Sequence, residues 1–430
     1  MDADDFRFLL GHLQAQEERL SALLDRARWG RGAKFLDLSR LYLGGSKQVR
    51  EHLAIQHSTA VNATSQQAIE RKALRLKETL SYLHIWIVHF SGDVGRRDVP
   101  VGLIYIIDDL LTIMNLGDSD ALVHIDDNYM YSVARPVANW AAGYSVCGVT
   151  YTDSTQPVIF NLPGTDPNNI ALSPILAHEV GHPCIIEHDL LTEFNASIDH
   201  TALRPVWDSC AALGVSASEV NTIWSSWVQE LLCDALAVAA TGPSMLFASL
   251  AFLPGPTAGQ FGDSHPDPAH RIGLTLKYLD SMGWTHELDN AVPEVMVWAR
   301  HLAALPVDPD VPDVLKALTV AVPQVEEQLW RVASNVVDQR IFLPEFFAED
   351  GPYARSLLEA GITPVENGGQ ALSTWSIVLA TWLFLLSENG GNSDSLYRTV
   401  DDAAANAISL KAIELSGMLR LWRAGDPTPE

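Results

Sequence analysis

The sequence predicts a mainly α protein with a small β-sheet, and three observations carry that expectation. Apolar residues recur at helical spacing near both ends of the chain. Short β-rich runs, divided by Gly, Pro, Asn and Asp, are confined to residues 118–164. The runs 224–241 and 371–387 are apolar over lengths that suit buried helices.

Taken in order, Phe6, Leu9, Leu10, Leu13, Leu20, Leu23 and Leu24 predict a first helix, with Gly30 ending the pattern. A second long helix is expected over 65–89, with Gly92 as its stop. Residues 100–116 form an apolar stretch that reads as helix or strand. Strands are expected at 121–125, 144–151 and 158–162, the last closed by Pro163-Gly164. Helices follow at 224–241, ended by Gly242-Pro243, and at 269–282. Residues 305–312, with three prolines, read as a linker or rigid turn. Beyond them, helices are expected at 322–339, 353–360, 370–387 and 393–422. No repeat of fixed period is present. These textures divide the chain into an N-terminal helical region (1–117), a core (118–290) and a C-terminal helical region (291–430).

With 430 residues, 47% of them hydrophobic, the chain is long enough to bury a large core. Its formal charge of −25 argues against a nucleic-acid partner, because phosphate binding draws on clustered Lys and Arg. The same charge opposes anionic membrane surfaces. The segment 371–387 is short for a membrane span and interrupted by Ser and Thr, so no membrane insertion is expected. The acidic start Met1-Asp2-Ala3-Asp4-Asp5 lacks the basic and apolar regions of a secretory signal, which predicts a cytoplasmic protein. Cys147, Cys184, Cys210 and Cys233 show no CxxC spacing and read as reduced, ordinarily buried thiols, although Cys184 and Cys233 neighbour the ligand candidates below.

The stretch Ile175-Leu176-Ala177-His178-Glu179-Val180-Gly181-His182 is an HExxH motif in a helix-compatible run. Histidines four apart lie on one helix face and can grip one zinc ion, while Glu179 is placed to take a proton from water. A catalytic zinc needs a third protein ligand. Glu230 sits in an apolar helical run with Asp234 one turn later on the same face, and two buried carboxylates ask for a positive partner. In that arrangement Glu230 binds the metal and Asp234 holds a ligand histidine by its other ring nitrogen. His188 is a rival, since His178 to His188 has the spacing HExxHxxGxxH. Ile185 stands where that motif needs a glycine to turn out of the helix, which counts against it. Asp189 and Asp234 are the remaining direct-ligand candidates. Pro183, directly after His182, is expected to kink or end the helix there.

With Glu230 included, these residues resemble the gluzincin metallopeptidases, more narrowly the group of HtpX and the CAAX prenyl endopeptidases. The shared pattern is HExxH, then ExxxD (Glu230 to Asp234), then His-Pro followed by Arg-Ile, here His265-Pro266 and Arg271-Ile272. The resemblance covers residues 159–279. It implies an α+β zincin-like catalytic core flanked by helical regions, and a zinc endopeptidase with His178, His182 and Glu230 as ligands and Glu179 as general base. It further implies that Asp234 supports the ligands, that Arg271 anchors the local carboxylates and that His265 donates to the oxyanion. In such peptidases a strand before the motif, here 158–162, commonly pairs with an extended substrate. Members of that group are membrane-embedded, so their substrates are not carried over.

The expected function is thus zinc-dependent hydrolysis of a peptide or protein substrate. Two rivals stand beside it: a zinc hydrolase of a non-peptide amide or ester, and a silent or latent zincin-fold interaction protein. Asp108-Asp109 and Asp126-Asp127 read as acidic surface pairs, and His200, His270 and His286 as ordinary histidines. Tyr144 and Tyr151 are further hydroxyl donors to consider.

Overall fold

The computed structural model describes residues 3–26, 33–60, 62–91, 99–117, 121–126, 132–134, 158–163, 168–252, 261–388 and 402–425. They form a mainly α protein with small β-sheets, as the patterning predicts. The chain packs as two compact units. One contains Met1–Val99 and Asp118–Gly164, the other Pro100–Gly117 and Thr165–Glu430. The β-rich segment therefore groups with the N-terminal helices, whereas the metal motif and the whole C-terminal region share the second unit.

In the first unit, α1 (Ala3–Arg26), α2 (Ala33–Thr59) and α3 (Ala63–Ser91) pack on one another. Phe6, Leu9, Leu13, Leu20 and Leu24 make the buried stripe of α1, and the fully buried Glu17 completes it at the same spacing. Its carboxylate accepts from Arg50 Nε on α2 at 3.0 Å. The first helix ends at Arg26, before Gly30, which lies outside the described residues. The sheet has the order β1-β3-β2: β3 (Val158–Pro163) runs parallel to β1 (Ala121–Asp126) and antiparallel to β2 (Ser132–Ala134). Val158 and Phe160, two apart and so on one face, are both fully buried. The strand expected at 144–151 lies outside the described residues.

In the second unit, the ambiguous stretch at 100–116 is a helix, Val101–Ile113, closed by Asn115 in the left-handed region. It crosses the C-terminal helix Ala403–Gly425 at Gly102, where a Cβ would come within 2.3 Å of Leu410 O. The apolar segment near 371–387 is the helix Thr374–Glu388, with Ile377, Val378, Leu379 and Trp382 buried. No helix among the described residues is long and apolar enough to cross a membrane. Before that helix, β4 (Glu366–Asn367) pairs with β5 (Gln370–Ala371) around Gly368 and Gly369. Both glycines have positive φ, as a two-residue hairpin turn demands. The helix expected to start at residue 370 begins instead after this hairpin. The prolines at 306, 309 and 312 join helix Pro293–Ala303 to helix Asp313–Thr319.

Candidate metal centre

Three helices of the second unit build the site. The motif helix is Pro174–Glu187, the Glu230 helix is Ala217–Thr241, and the Arg271 helix is Pro268–Ser281. The Glu230 helix is capped by Ser216, whose side chain accepts the Glu219 N–H. It packs on both other helices, and every residue from Glu230 to Thr241 is buried. The Arg271 helix opens with Asp267 capping the Ala269 N–H and Pro268 in its first turn.

Close approach of the first two helices depends on Gly181. A Cβ there would lie 2.9 Å from both Cα and Sγ of Cys233, too near for any side chain. Pro183 does not end the motif helix near His182: the helix continues to Glu187, with His188 as its cap. A proline inside a helix removes one backbone hydrogen bond, and here the buried residues Cys184 and Ile185 keep the next turn in place.

These contacts gather six polar side chains. His178 Nδ1 lies 2.8 Å from Asp234 Oδ1, and its Nε2 lies 3.3 Å from Glu230 Oε2. His182 Nε2 lies 3.6 Å from the other oxygen, Glu230 Oε1. The Glu230 carboxylate therefore faces both Nε2 atoms. Arg271 grips Asp234 with two hydrogen bonds, Nε to Oδ2 at 2.7 Å and a terminal nitrogen to Oδ1 at 2.8 Å. From the loop before the Arg271 helix, His265 Nε2 comes within 3.6 Å of Glu230 Oε2. His178, Glu230, Asp234 and Arg271 are buried, whereas His182 and His265 are partly open to solvent.

The electrostatics follow from that burial. Burial disfavours the His178 cation, but the contacts and charges of Asp234 and Glu230 outweigh it and raise its pKa to about 10. His182 is lowered to about 4, by burial first and then by the charge of His178. Burial opposes the Glu230 anion, yet His178 and Arg271 bring it down to about 2. Asp234 is likewise held well below the usual carboxylate range, because Arg271 and His178 prevail over desolvation. Burial and the neighbouring carboxylates Glu230 and Glu179 push the Cys233 thiol upward, which also sets half-buried Glu179 beside the cluster.

Glu230 Oε2 is buried and makes no hydrogen bond, although two imidazoles and a guanidinium surround it. A buried carboxylate oxygen left in that state, next to two histidines on one helix face, fits a cation between them. His178, His182 and Cys233 also bring one ligand atom each within 4.8 Å of one another, so this His-His-Cys group, buried but for the partly open His182, can hold a metal ion. Cys233 reads in sequence as an ordinary buried thiol. The only sequence signal for its position is its spacing of three from Glu230 combined with the glycine at 181.

The remaining candidates lie elsewhere. His188 Nε2 is 3.1 Å from Met114 O, and Asp189 has positive φ and binds Thr192. Cys184 Sγ donates to Met114 O at 3.7 Å. Asp109 accepts from Thr374 and Arg420, a link between helices. His200 lies against Asn195 O, His270 beside Asp267, and His286 is exposed. Tyr144, Tyr151, Cys147 and Asp127 fall outside the described residues. Comparison with protein-family models, curated proteins and solved structures finds no match for this chain.

Proposed function

We propose that the chain is a zinc-dependent peptidase of gluzincin type, with His178, His182 and Glu230 holding the metal. The observation that carries this reading is the Glu230 carboxylate, which turns one oxygen toward each histidine and leaves Oε2 buried without a hydrogen bond. Two imidazoles and a carboxylate are a donor set suited to zinc with one position open. Zinc held there would supply Lewis acidity toward a carbonyl and lower the pKa of water.

The chain's own residues divide the remaining work. Asp234 accepts a hydrogen bond from the Nδ1–H of His178, which fixes the ring and leaves Nε2 for the metal. Arg271 in turn holds both oxygens of Asp234. Glu179, next to His178 on the motif helix, accepts the proton of the attacking water and returns it to the leaving amine. His265, partly exposed and close to Glu230, donates from Nε2 to the developing oxyanion.

A second reading rests on Cys233. If its thiolate joins His178, His182 and Glu230, four protein ligands close the site and the metal is structural. The two readings separate in Glu179→Gln, assayed on casein with the metal content measured alongside. The catalytic reading predicts unchanged metal and a rate lower by about 10²–10⁴-fold. An active, metal-replete variant contradicts it.

A further inference from the structure

His265 reaches the site from a loop, and about 45% of its side chain is exposed, so something other than burial must hold it. The hydrogen bonds identify the holder. The Gly262 N–H donates to His265 O at 3.0 Å, closing a tight turn. The carbonyl of the same Gly262 accepts the indole N–H of Trp227 at 2.8 Å. Ser264 Oγ lies 2.8 Å from His265 Nδ1, which directs Nε2 toward Glu230.

Trp227 is fully buried and lies on the Glu230 helix, three residues before Glu230 and so on the same face. A buried indole N–H needs an acceptor, and this one finds it in the loop rather than in its own helix. Phe261, directly before Gly262, packs against the Trp227 ring with centroids 5.7 Å apart. One side chain of the helix that carries Glu230 thus fixes the turn that carries His265.

We propose that Trp227 is a positioning residue of the site: its N–H bond to Gly262 O, relayed through the Gly262 N–H to His265 O, holds His265 over Glu230. The catalytic meaning of this strap rests on the hydrolytic reading above, whereas the strap itself does not. Trp227 touches no reacting atom. Its contribution is to keep an exposed imidazole at a fixed place beside a buried carboxylate, where mobility of the loop would otherwise spread it over many positions.

The test is Trp227→Phe in the full chain, which keeps an aromatic ring and removes the donor. Amide hydrogen exchange on the metal-free protein is expected to accelerate roughly fivefold at Gly262, the size expected for loss of one supporting hydrogen bond, with helix Ala217–Thr241 unchanged. Wild-type exchange at Gly262 overturns the proposal. So does equal acceleration across loop and helix, which marks general loosening of the core. If the Phe variant does not fold, 3-benzothienylalanine at 227 keeps the indole shape without the N–H and gives the same readout. On casein, Trp227→Phe is expected to lower kcat with KM little changed, and to add nothing to His265→Ala. Losses that multiply in the double variant overturn the relay through His265. If the wild type takes up no metal and cleaves nothing, the hydrolytic reading fails, while the exchange measurement still decides the strap.

Discussion

Each unit buries a carboxylate against an arginine between helices, and the two arrangements differ in what surrounds the carboxylate. Between α1 and α2, Glu17 accepts a single bond from Arg50, and its Oε1 has no hydrogen-bond partner. In the second unit Asp234 is filled on both oxygens by Arg271 and also receives His178, while the neighbouring Glu230 keeps an orphaned oxygen directed at imidazoles. Among the described residues, the group able to hold a metal is at the second place. A buried ion pair alone is weak grounds for function, since helices bury such pairs for packing reasons. What marks the second cluster is its surplus of ligand-type atoms over the bonds available to satisfy them.

The largest contrast is expected from removing each arginine. Arg271→Met removes two charged hydrogen bonds from the buried Asp234 and leaves His178 as its remaining partner, and is predicted to cost about 3–5 kcal/mol. Arg50→Met removes the one charged hydrogen bond to the buried Glu17 carboxylate, where Arg271 makes two to Asp234, and its expected cost is about 1.5–3 kcal/mol. Urea unfolding followed by hydrogen exchange resolves the two units; equal losses would mean that the clusters are alike.

Asp234→Asn sharpens the comparison at the metal. The amide keeps the shape but loses the charge that holds His178, so zinc affinity is expected to fall about 10–100-fold. Titration against a chelator measures it, and unchanged affinity would remove Asp234 from the account.

The protonation states make a further prediction. In the metal-free protein His178, raised to about 10, carries a proton at neutral pH, whereas His182, lowered to about 4, does not. Glu230, lowered to about 2, is already ionised. Zinc entry must therefore expel one proton, from His178. About one proton per ion is expected at pH 7 in weak buffer, and apparent affinity should rise about tenfold per pH unit between pH 6 and 8. An affinity independent of pH over that range would contradict the assignment of His178 as a ligand.

Much of this cluster is legible in the sequence because its members lie on helices at short, regular spacing. His178 and His182 are four apart, as are Glu230 and Asp234, and 3.6 residues per turn puts each pair on one face. The mainly α fold is legible for the same reason, through stripes such as that of α1. Helix α2 is missed because Gly44-Gly45 interrupts its pattern as a turn would, yet the helix runs straight through. The grouping of residues 118–164 with the N-terminal helices is missed because it rests on contacts distant in sequence, which no local pattern records. The closeness of Cys233 to the histidines depends on an absent Cβ at residue 181, and the Trp227–Gly262 bond on how a loop folds back. The first leaves only the three-residue spacing of Cys233 from Glu230, and the second leaves no periodic trace.

The central claim is tested most directly by zinc stoichiometry of the wild type, Glu230→Ala and Cys233→Ala, measured by inductively coupled plasma mass spectrometry after reconstitution. The account predicts about one zinc per chain in the wild type and in Cys233→Ala, and loss of it in Glu230→Ala. Zinc retained without Glu230 but lost without Cys233 would contradict it and make Cys233 the third ligand. A wild type that binds none would contradict the metal site itself.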